Sequence, residues 1–391
     1  QSISNELIIA GAQDNGSQFI NVASQGANAS IAVYGGDGAY CTIDKDGDYM
    51  IASYLYNTHY YYQLPYNGTS KYTIDDYVNG QQGDFINQAG LDHNLNILYS
   101  NGGSGKINRY ILGSYSADKI QLTNLTIFPG GSPTAFKVSP HTTASTTLLV
   151  GTDNNKLLKL TNANATTIWA SITVPFVGSV SDIEFGTSEN EIYVTMHNYG
   201  VISVWYSADG GSTWENKEGN LPDMPVKCIL PNPLVANEVI IGTELGIWST
   251  KNFNDISPIW VSSYNGMRDV KVVDLDLRTA DNSILATTHG RGVFTGKFLA
   301  AEFSITTANT TVITCTSTAT FNLEFNSYPS YNFKTTFTAT DFPIGVTIDF
   351  SPTSLNKVGS FNMDVSNINL PVGQYPIKIR GNDLIASEIE V

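Results

Sequence analysis

Seven times along this chain an apolar run ends in a small residue, turns through a polar or glycine loop and resumes as another strand. The phrase stands at Glu6–Ser17 (ELIIAGAQDNGS), Asp48–Asn57 (DYMIASYLYN), Leu95–Gly105 (LNILYSNGGSG) and Thr147–Asn155 (TLLVGTDNN). It returns at Glu191–Gly200 (EIYVTMHNYG), Glu238–Gly246 (EVIIGTELG) and Ser283–Gly292 (SILATTHGRG). Its anchors, Gly11, Ala52, Ser100, Gly151, Thr195, Gly242 and Thr287, are separated by steps of about 41 to 51 residues. A lone hairpin is not stable in water, so each unit must bury its apolar face against a neighbour. A period in the forties with several strands per unit describes propeller blades. The expectation is an all-β chain whose residues 1–299 form a seven-bladed β-propeller.

The order within a unit is clearest late in the repeat. Inner strand Val226–Leu230 is followed by Pro-Asn-Pro, a second strand Glu238–Gly242, a third Gly246–Thr250 and a fourth ending in Trp260. Val226–Leu230 and Val270–Leu277 are apolar-rich, as packing between blades requires. Only six residues precede Leu7, so the first unit's inner strand is expected from sequence upstream. After Gly292–Phe298 the repeat stops and Ser/Thr-rich alternation takes over. Strands are predicted at Thr311–Thr318, Ala319–Phe325, Phe333–Thr340, Val346–Phe350, Ser360–Val365 and Tyr375–Arg380. Residues 300–391 therefore form an immunoglobulin-like β-sandwich, a module that usually serves as a spacer. The chain ends within a strand-like run, Glu388–Val391, and is expected to be a processed or trimmed piece.

Charge removes several classes of partner. With 35 acidic and 20 basic residues the net charge is −15, which excludes the basic patches that nucleic acid demands and opposes anionic membrane surfaces. No apolar run approaches about 18 residues, so membrane insertion is not expected. Cys41, Cys228 and Cys315 are too few and scattered for a disulfide framework or a zinc site, and are expected to be free thiols.

Propeller geometry sorts the candidate site residues. Turns between second and third strands share one face with the loops between blades. That face gathers Asp14, Asn15, Asp153, Asn154, His197, Asn198, Glu244, His289 and Arg291 from the turns. Asp37, Asp84 and Arg268 come from the inter-blade loops. Acids and amides with a few His and Arg around a funnel suit a polar ligand, such as a glycan or a cation; the same glycine-flanked sequences also serve as plain turns. Asp14 and Asp37 form the most suggestive carboxylate pair for glycoside hydrolysis, although no spacing rule makes them acid and base. Asp44-Lys-Asp-Gly-Asp48 has some features of a calcium loop, but Gly47 is fourth and position twelve is Leu55, so a hairpin turn is expected and no cofactor is assigned. Tyr54 to Tyr77 is tyrosine-dense, including Tyr60, Tyr61, Tyr62, Tyr66 and Tyr72; strand alternation would bury half of them. His59 within it is expected to be a satisfied loop residue.

Ser207-Ala-Asp-Gly-Gly-Ser-Thr-Trp214 matches the Asp-box of bacterial neuraminidase-type repeats. With Asn220–Val226, Ile241–Trp248 and Ala286–Phe294, it resembles the sortilin-like and xyloglucanase-like propellers of secreted Bacteroidetes proteins. Ala10–Gly16 and Gly35–Gly38 are similar to first-blade motifs of that group. Phe342–Val346, Phe350–Pro352 and Pro371–Tyr375 resemble the Ig-like repeat that often follows. The resemblance implies secretion, often by the type IX route, to the cell surface or medium. It also implies a glycan, or a protein of a surface or secretion assembly, as partner. Sialidase activity is not implied: Arg109, Arg268, Arg278 and Arg291 supply no recognisable arginine triad. A non-catalytic binding or adhesion protein is the first functional expectation, and a glycoside hydrolase using rim carboxylates is the second.

Overall fold

A computed structural model describes residues 6–25, 30–76, 82–263, 267, 269–298, 303–327, 334–382 and 388–390. The chain divides into two compact units, Gln1–Phe298 and Leu299–Val391.

Among the described residues the first unit holds seven antiparallel sheets in chain order. Sheet 1 comprises β1 (Ile8–Ala12), β2 (Gly16–Ile20) and β3 (Ser30–Tyr34). Sheet 2 comprises β4 (Cys41–Ile43), β5 (Tyr49–Ser53), β6 (His59–Gln63) and β7 (Tyr72–Asp75). Sheet 3 runs β8 (Ala89–Asp92), β9 (Ile97–Asn101), β10 (Lys106–Leu112) and β11 (Ala117–Thr123). Sheet 4 runs β12 (Pro133–Val138), β13 (Leu148–Thr152), β14 (Leu157–Thr161) and β15 (Ile168–Ile172). Sheet 5 runs β16 (Val180–Phe185), β17 (Ile192–Met196), β18 (Val204–Ser207) and β19 (Glu215–Asn216). Sheet 6 runs β20 (Val226–Pro231), β21 (Val239–Thr243), β22 (Gly246–Thr250) and β23 (Val261–Ser263). Sheet 7 has β24 (Val272–Arg278), β25 (Ser283–Thr288) and β26 (Val293–Lys297). Each is a meander in which successive strands pair.

Packing follows the sequence of sheets. Leu7, Ile9 and Phe19 of sheet 1 cluster with Ile43, Met50 and Tyr62 of sheet 2. Tyr49, Ile51 and Tyr61 then meet Leu91, Leu98 and Tyr110 of sheet 3, and Tyr99 and Ile107 meet Leu148, Val150 and Leu158 of sheet 4. Further cores join sheets 4 and 5, 5 and 6, and 6 and 7. Apolar side chains on both faces of a strand explain the unbroken burial of β5, β9, β13, β17 and β21.

Each anchor of the repeat lies near the end of a strand, and at Gly11, Gly151 and Gly242 the chain entering the next sheet crosses it closely. A Cβ on Gly11 would lie 2.0 Å from the carbonyl oxygen of Ala39, and one on Gly151 would lie 2.4 Å from Val180 Cγ1. On Gly242 it would lie 2.7 Å from Val272 Cγ1 and 2.4 Å from Cys228 Sγ. None of the three glycines has a positive φ, so space and not backbone freedom requires them. This equivalence makes β1 a second strand. Among the described residues, no inner strand pairs with it.

The inner strands of sheets 4 to 7 each carry a β-bulge at one place, the extra residue being Thr134, Ser181, Lys227 or Val273. Thr134 and Ser181 donate across to the carbonyls of Val180 and Val226, both at 2.6 Å, tying one inner strand to the next. Beyond the bulge these strands are not wholly apolar. Lys137 pairs with Glu184, and Asp182 Oδ2 accepts the Ile229 N–H at 2.9 Å. Val270–Leu277 is therefore apolar on one side only, with Val272 and Leu275 buried and Asp274 and Asp276 between and beyond them.

Two further expectations are corrected. Trp260 precedes the fourth strand of its sheet instead of ending it; its indole is buried beside Phe253 and donates to the Lys217 carbonyl. His59 opens β6 and is not a loop residue.

The second unit has two four-stranded sheets. One contains β27 (Phe303–Thr306), β28 (Ala319–Ser327), β32 (Gly359–Ser366) and β30 (Thr347–Ser351). The other contains β31 (Ser354–Leu355), β29 (Thr335–Thr340), β33 (Lys378–Asn382) and β34 (Glu388–Glu390). Their shared core includes Phe303, Phe325, Phe337 and Phe361, the last two stacked at 3.8 Å. Thr311–Thr318, predicted as a strand, is a loop. There Thr314 and Thr316 hydrogen-bond each other and the Thr318 carbonyl, local bonds that compete with a sheet ladder.

Gly151→Val and Gly242→Val should each destabilise the first unit by about 1–3 kcal/mol through overpacking against Val180 and Val272. Urea unfolding of the two variants checks this, and wild-type midpoints would show that the close crossing is not a constraint.

Candidate functional site

In a four-stranded meander the first and third turns share one end, and the second turn lies at the other. The Asp-box Ser207–Trp214 spans the turn between β18 and β19, a third turn. Its chemistry is spent on itself. Asp209 accepts from the Ser207 hydroxyl at 2.9 Å, the Thr213 N–H at 2.8 Å and the Thr213 hydroxyl at 2.7 Å. The Thr213 bonds hold the Asp209 carboxyl below its ordinary range. Gly210 and Gly211 supply positive φ, and Trp214 donates to Thr173 and packs edge-on against Phe176. The box is a self-satisfied turn that pins the edge of sheet 5 to sheet 4.

The opposite end carries the sequence-derived rim. Asp14 and Asn15 lie between β1 and β2, and Asp153 and Asn154 between β13 and β14. His197 and Asn198 lie between β17 and β18, Glu244 between β21 and β22, and His289 and Arg291 between β25 and β26. Asp37 and Asp84 lie on loops entering sheets 2 and 3; Arg268 falls outside the described residues.

Most of these groups secure neighbouring loops. Asp37 Oδ1 accepts the Asp14 N–H at 2.9 Å, Asp153 Oδ1 the Ser132 N–H at 2.8 Å, and Asn198 Oδ1 the Ser179 N–H at 2.6 Å. Asp84 Oδ2 accepts from the Asn101 amide at 3.1 Å, and Arg291 donates to the Met267 carbonyl at 3.2 Å. Asn15 and Asn154 donate to the carbonyls of Gln13 and Gly130, and the His289 N–H donates to Lys271. Burial and the nearby Asp153 charge push the Asp84 carboxyl above its usual range.

Around Glu244 the rim is more elaborate. Its carboxylate lies 2.7 Å from Lys227 Nζ and 3.3 Å from Lys271 Nζ, and Lys227 Nζ is 3.1 Å from His197 Nε2. Burial would raise the Glu244 carboxyl, but the two lysines hold it below its ordinary range. Burial and the Lys227 charge depress His197, favouring its neutral ring. Sequence reasoning missed Lys227 because it is the bulge residue of an inner strand, where sheets 4 and 5 carry a hydroxyl.

One arrangement has the outline of a nucleophile and base. Ser53 Oγ lies 2.6 Å from His59 Nδ1, and Asn57 Oδ1 is 3.4 Å from Nε2. Ser53, His59, Ser100 and Asn101 are fully buried, and Asn57 and Asn87 nearly so. Asn57 and Asn87 both donate to the Asn101 carbonyl. These buried bonds tie sheets 2 and 3 together. The calcium-like Asp44–Asp48 is the hairpin turn between β4 and β5, closed by Gly47 N–H to Asp44 at 2.9 Å. Among the described residues no group of three or more His, Cys, Asp or Glu is placed to hold a metal ion, and no helix is long and apolar enough to cross a membrane.

No family model matches the chain, and no curated protein matches it in sequence. Among solved structures it is similar to the β-propeller domain of Cps50 (Swd1) from Myceliophteria thermophila, with a TM-score of 0.56 and 10% identity. The match covers 76% of this chain and 96% of that one. At this identity the likeness concerns the fold alone. The repeated sheets form a β-propeller.

Desolvation lowers the buried His59 ring from 6.5 to about 4. Because the folded value lies below the unfolded one, acid protonates the unfolded chain first. Stability is full above about pH 6.5 and falls as pH drops toward 4, by about 2 kcal/mol between pH 7 and pH 5 from this group alone. NMR titration of the His59 ring should show a midpoint below 5; a midpoint near 6.5 would contradict the burial argument.

Proposed function

We propose that this chain is a non-catalytic binding protein of the cell exterior, secreted or held on the outer surface. In this reading the seven sheets are the blades of a seven-bladed propeller of the sortilin-like, xyloglucanase-like kind, and the second unit is an Ig-like spacer. Its partner is a glycan or a protein of a surface adhesion or secretion assembly, and the chain is itself type IX cargo or a component of that assembly. Nucleic acid is not a partner, because the net charge of −15 repels phosphate.

The observation that carries this reading is how the rim carboxylates are employed. Asp37 holds the Asp14 backbone, Asp153 holds Ser132, and Glu244 is clasped by two lysines. A rim whose acids brace loops is suited to presenting a fixed surface, and the propeller fold supplies the rigid base beneath it. The competing reading, a glycoside hydrolase, draws support from Asp84, whose raised carboxyl is the kind a general acid needs.

Polysaccharide binding and release of reducing ends should be measured for wild type and for Asp14→Ala, Asp37→Ala and Asp84→Asn. Binding without turnover is the expected result; turnover that any of these changes abolishes would establish the hydrolase instead. Purification from native cells should recover the chain with a surface partner, and consistent recovery alone would remove the assembly role. No metal is required in this reading, so EDTA should leave the thermal midpoint within about 1 °C. A larger fall would reveal a structural ion.

A further inference from the structure

We infer that Lys227, Lys271 and His197 form a subsite, on the rim of sheets 5 to 7, for the carboxylate of an acidic sugar carried on a short glycan chain. The inference rests on the binding reading above and names its ligand class. Its starting point is a lysine where the fold does not ask for one. At the bulge of the inner strand, sheets 4 and 5 carry Thr134 and Ser181, whose hydroxyls donate to the next inner strand. Sheet 7 carries Val273. Sheet 6 carries Lys227, whose side chain is 8% exposed and whose ammonium turns to Glu244 and His197 instead. Burying an ammonium costs free energy, and the other three sheets form the same bulge without one.

Four elements bring the groups to one place. His197 stands in the turn between β17 and β18, Lys227 on β20, Glu244 in the turn between β21 and β22, and Lys271 directly before β24. Glu244 Oε1 lies 2.7 Å from Lys227 Nζ, its Oε2 lies 3.3 Å from Lys271 Nζ, and Lys227 Nζ lies 3.1 Å from His197 Nε2. The backbone beneath each rim group is pinned. The His197 N–H donates to the Ser179 carbonyl at 2.8 Å, the Glu244 N–H to Pro225 at 3.3 Å, and the Lys271 carbonyl accepts from His289 at 2.9 Å. A ligand therefore has little ordering to impose. The cluster is open to it, because His197 is exposed and Lys271 and Glu244 are half-buried.

The charge in this cluster is out of balance. One carboxylate serves two ammonium groups, and among the described residues no second acid pairs with either lysine. With His197 held neutral by burial and the Lys227 charge, a net positive charge faces solvent on an otherwise acidic protein. A ligand carboxylate balances it. Glu244 accepts only, and its oxygens have capacity beyond the two lysines, so the site also suits a ligand that brings hydroxyl donors beside its acid. A uronic acid has both on one ring, whereas an acidic peptide side chain has the acid alone. The rest of the rim limits the ligand's length. Asp14, Asp37, Asp84 and Asp153 stand on the turns and entering loops of sheets 1 to 4, and they repel a polyanion that crosses them.

The full chain should be titrated calorimetrically with trisaccharides of α-1,4-galacturonate and β-1,4-glucuronate, with the neutral β-1,4-glucan trisaccharide and hexaglutamate as controls. At least one acidic sugar should bind, at least about tenfold more tightly than the neutral one, and more weakly as salt is raised. Lys271→Gln should weaken it about tenfold and leave the thermal midpoint within about 3 °C, since it removes one partly exposed ion pair. Lys271→Arg, which keeps the charge, should recover most of that loss. The proposal is overturned if neither acidic sugar binds, if the neutral one binds equally well, or if Lys271→Gln binds as wild type does. Hexaglutamate bound in preference would overturn it in favour of an acidic peptide. If a neutral glycan or a surface protein binds while no acidic sugar does, the binding reading stands and this subsite falls. If an acidic sugar is bound through Lys271 and also hydrolysed, the subsite stands and the non-catalytic reading falls.

Discussion

Everything in the first unit depends on how closely the chain entering one sheet crosses the second strand of the sheet before it. At Gly11, Gly151 and Gly242 there is no room for a methyl group. The other anchors, Ala52, Ser100, Thr195 and Thr287, are also small. The crossing sets the separation of successive sheets and lets their apolar faces close into continuous cores. It also explains why the repeat is written in small residues more than in any longer motif. The Asp-box, by contrast, occurs in full form once and braces a single edge.

That crossing places the entering loop against the turn between second and third strands, and so the rim comes to be stitched by its own polar groups. Asp37 with Asp14, Asp153 with Ser132 and Asn198 with Ser179 are variants of one device, a side-chain acceptor meeting a loop N–H. Such bonds make the rim rigid and consume groups that a sequence reading could offer for catalysis. Two places depart from the device. At Lys227 a cation replaces the bulge hydroxyl and organises Glu244, Lys271 and His197. At Tyr56 an aromatic ring occupies a turn position that glycine would fill without strain. Departures from a repeated solution are where function is best sought, because the fold does not require them.

The sequence carried the arrangement of strands well and their polar linings poorly. Six of the seven small-residue anchors lie on the second strand of their sheet, with Gly11 on β1, and the described polar residues Asp14, Asp153, His197, Glu244 and His289 lie on turns between strands. Thr311–Thr318 misled because alternating threonines satisfy a strand pattern while their hydroxyls bond locally. Val270–Leu277 was read from Val272 and Leu275, although Asp274 and Asp276 occupy the alternate positions. His59 is hidden in a tyrosine run; its partner Ser53 lies on the preceding strand, and Asn87, which joins the network by donating to Asn57, lies on a distant segment.

What the sequence determined by itself is the all-β class, the repeat and the end of the sheets on which polar turns gather. Period and residue size are local properties, written every forty or so residues. The tertiary structure alone decided which rim carboxylates brace loops, that Ser53 and His59 meet in the buried interior, and that Tyr56 holds a positive φ beside Phe85. Each of these depends on a contact across sheets or on a backbone angle imposed by the whole hairpin. Neither is carried by the spacing of residues along the chain.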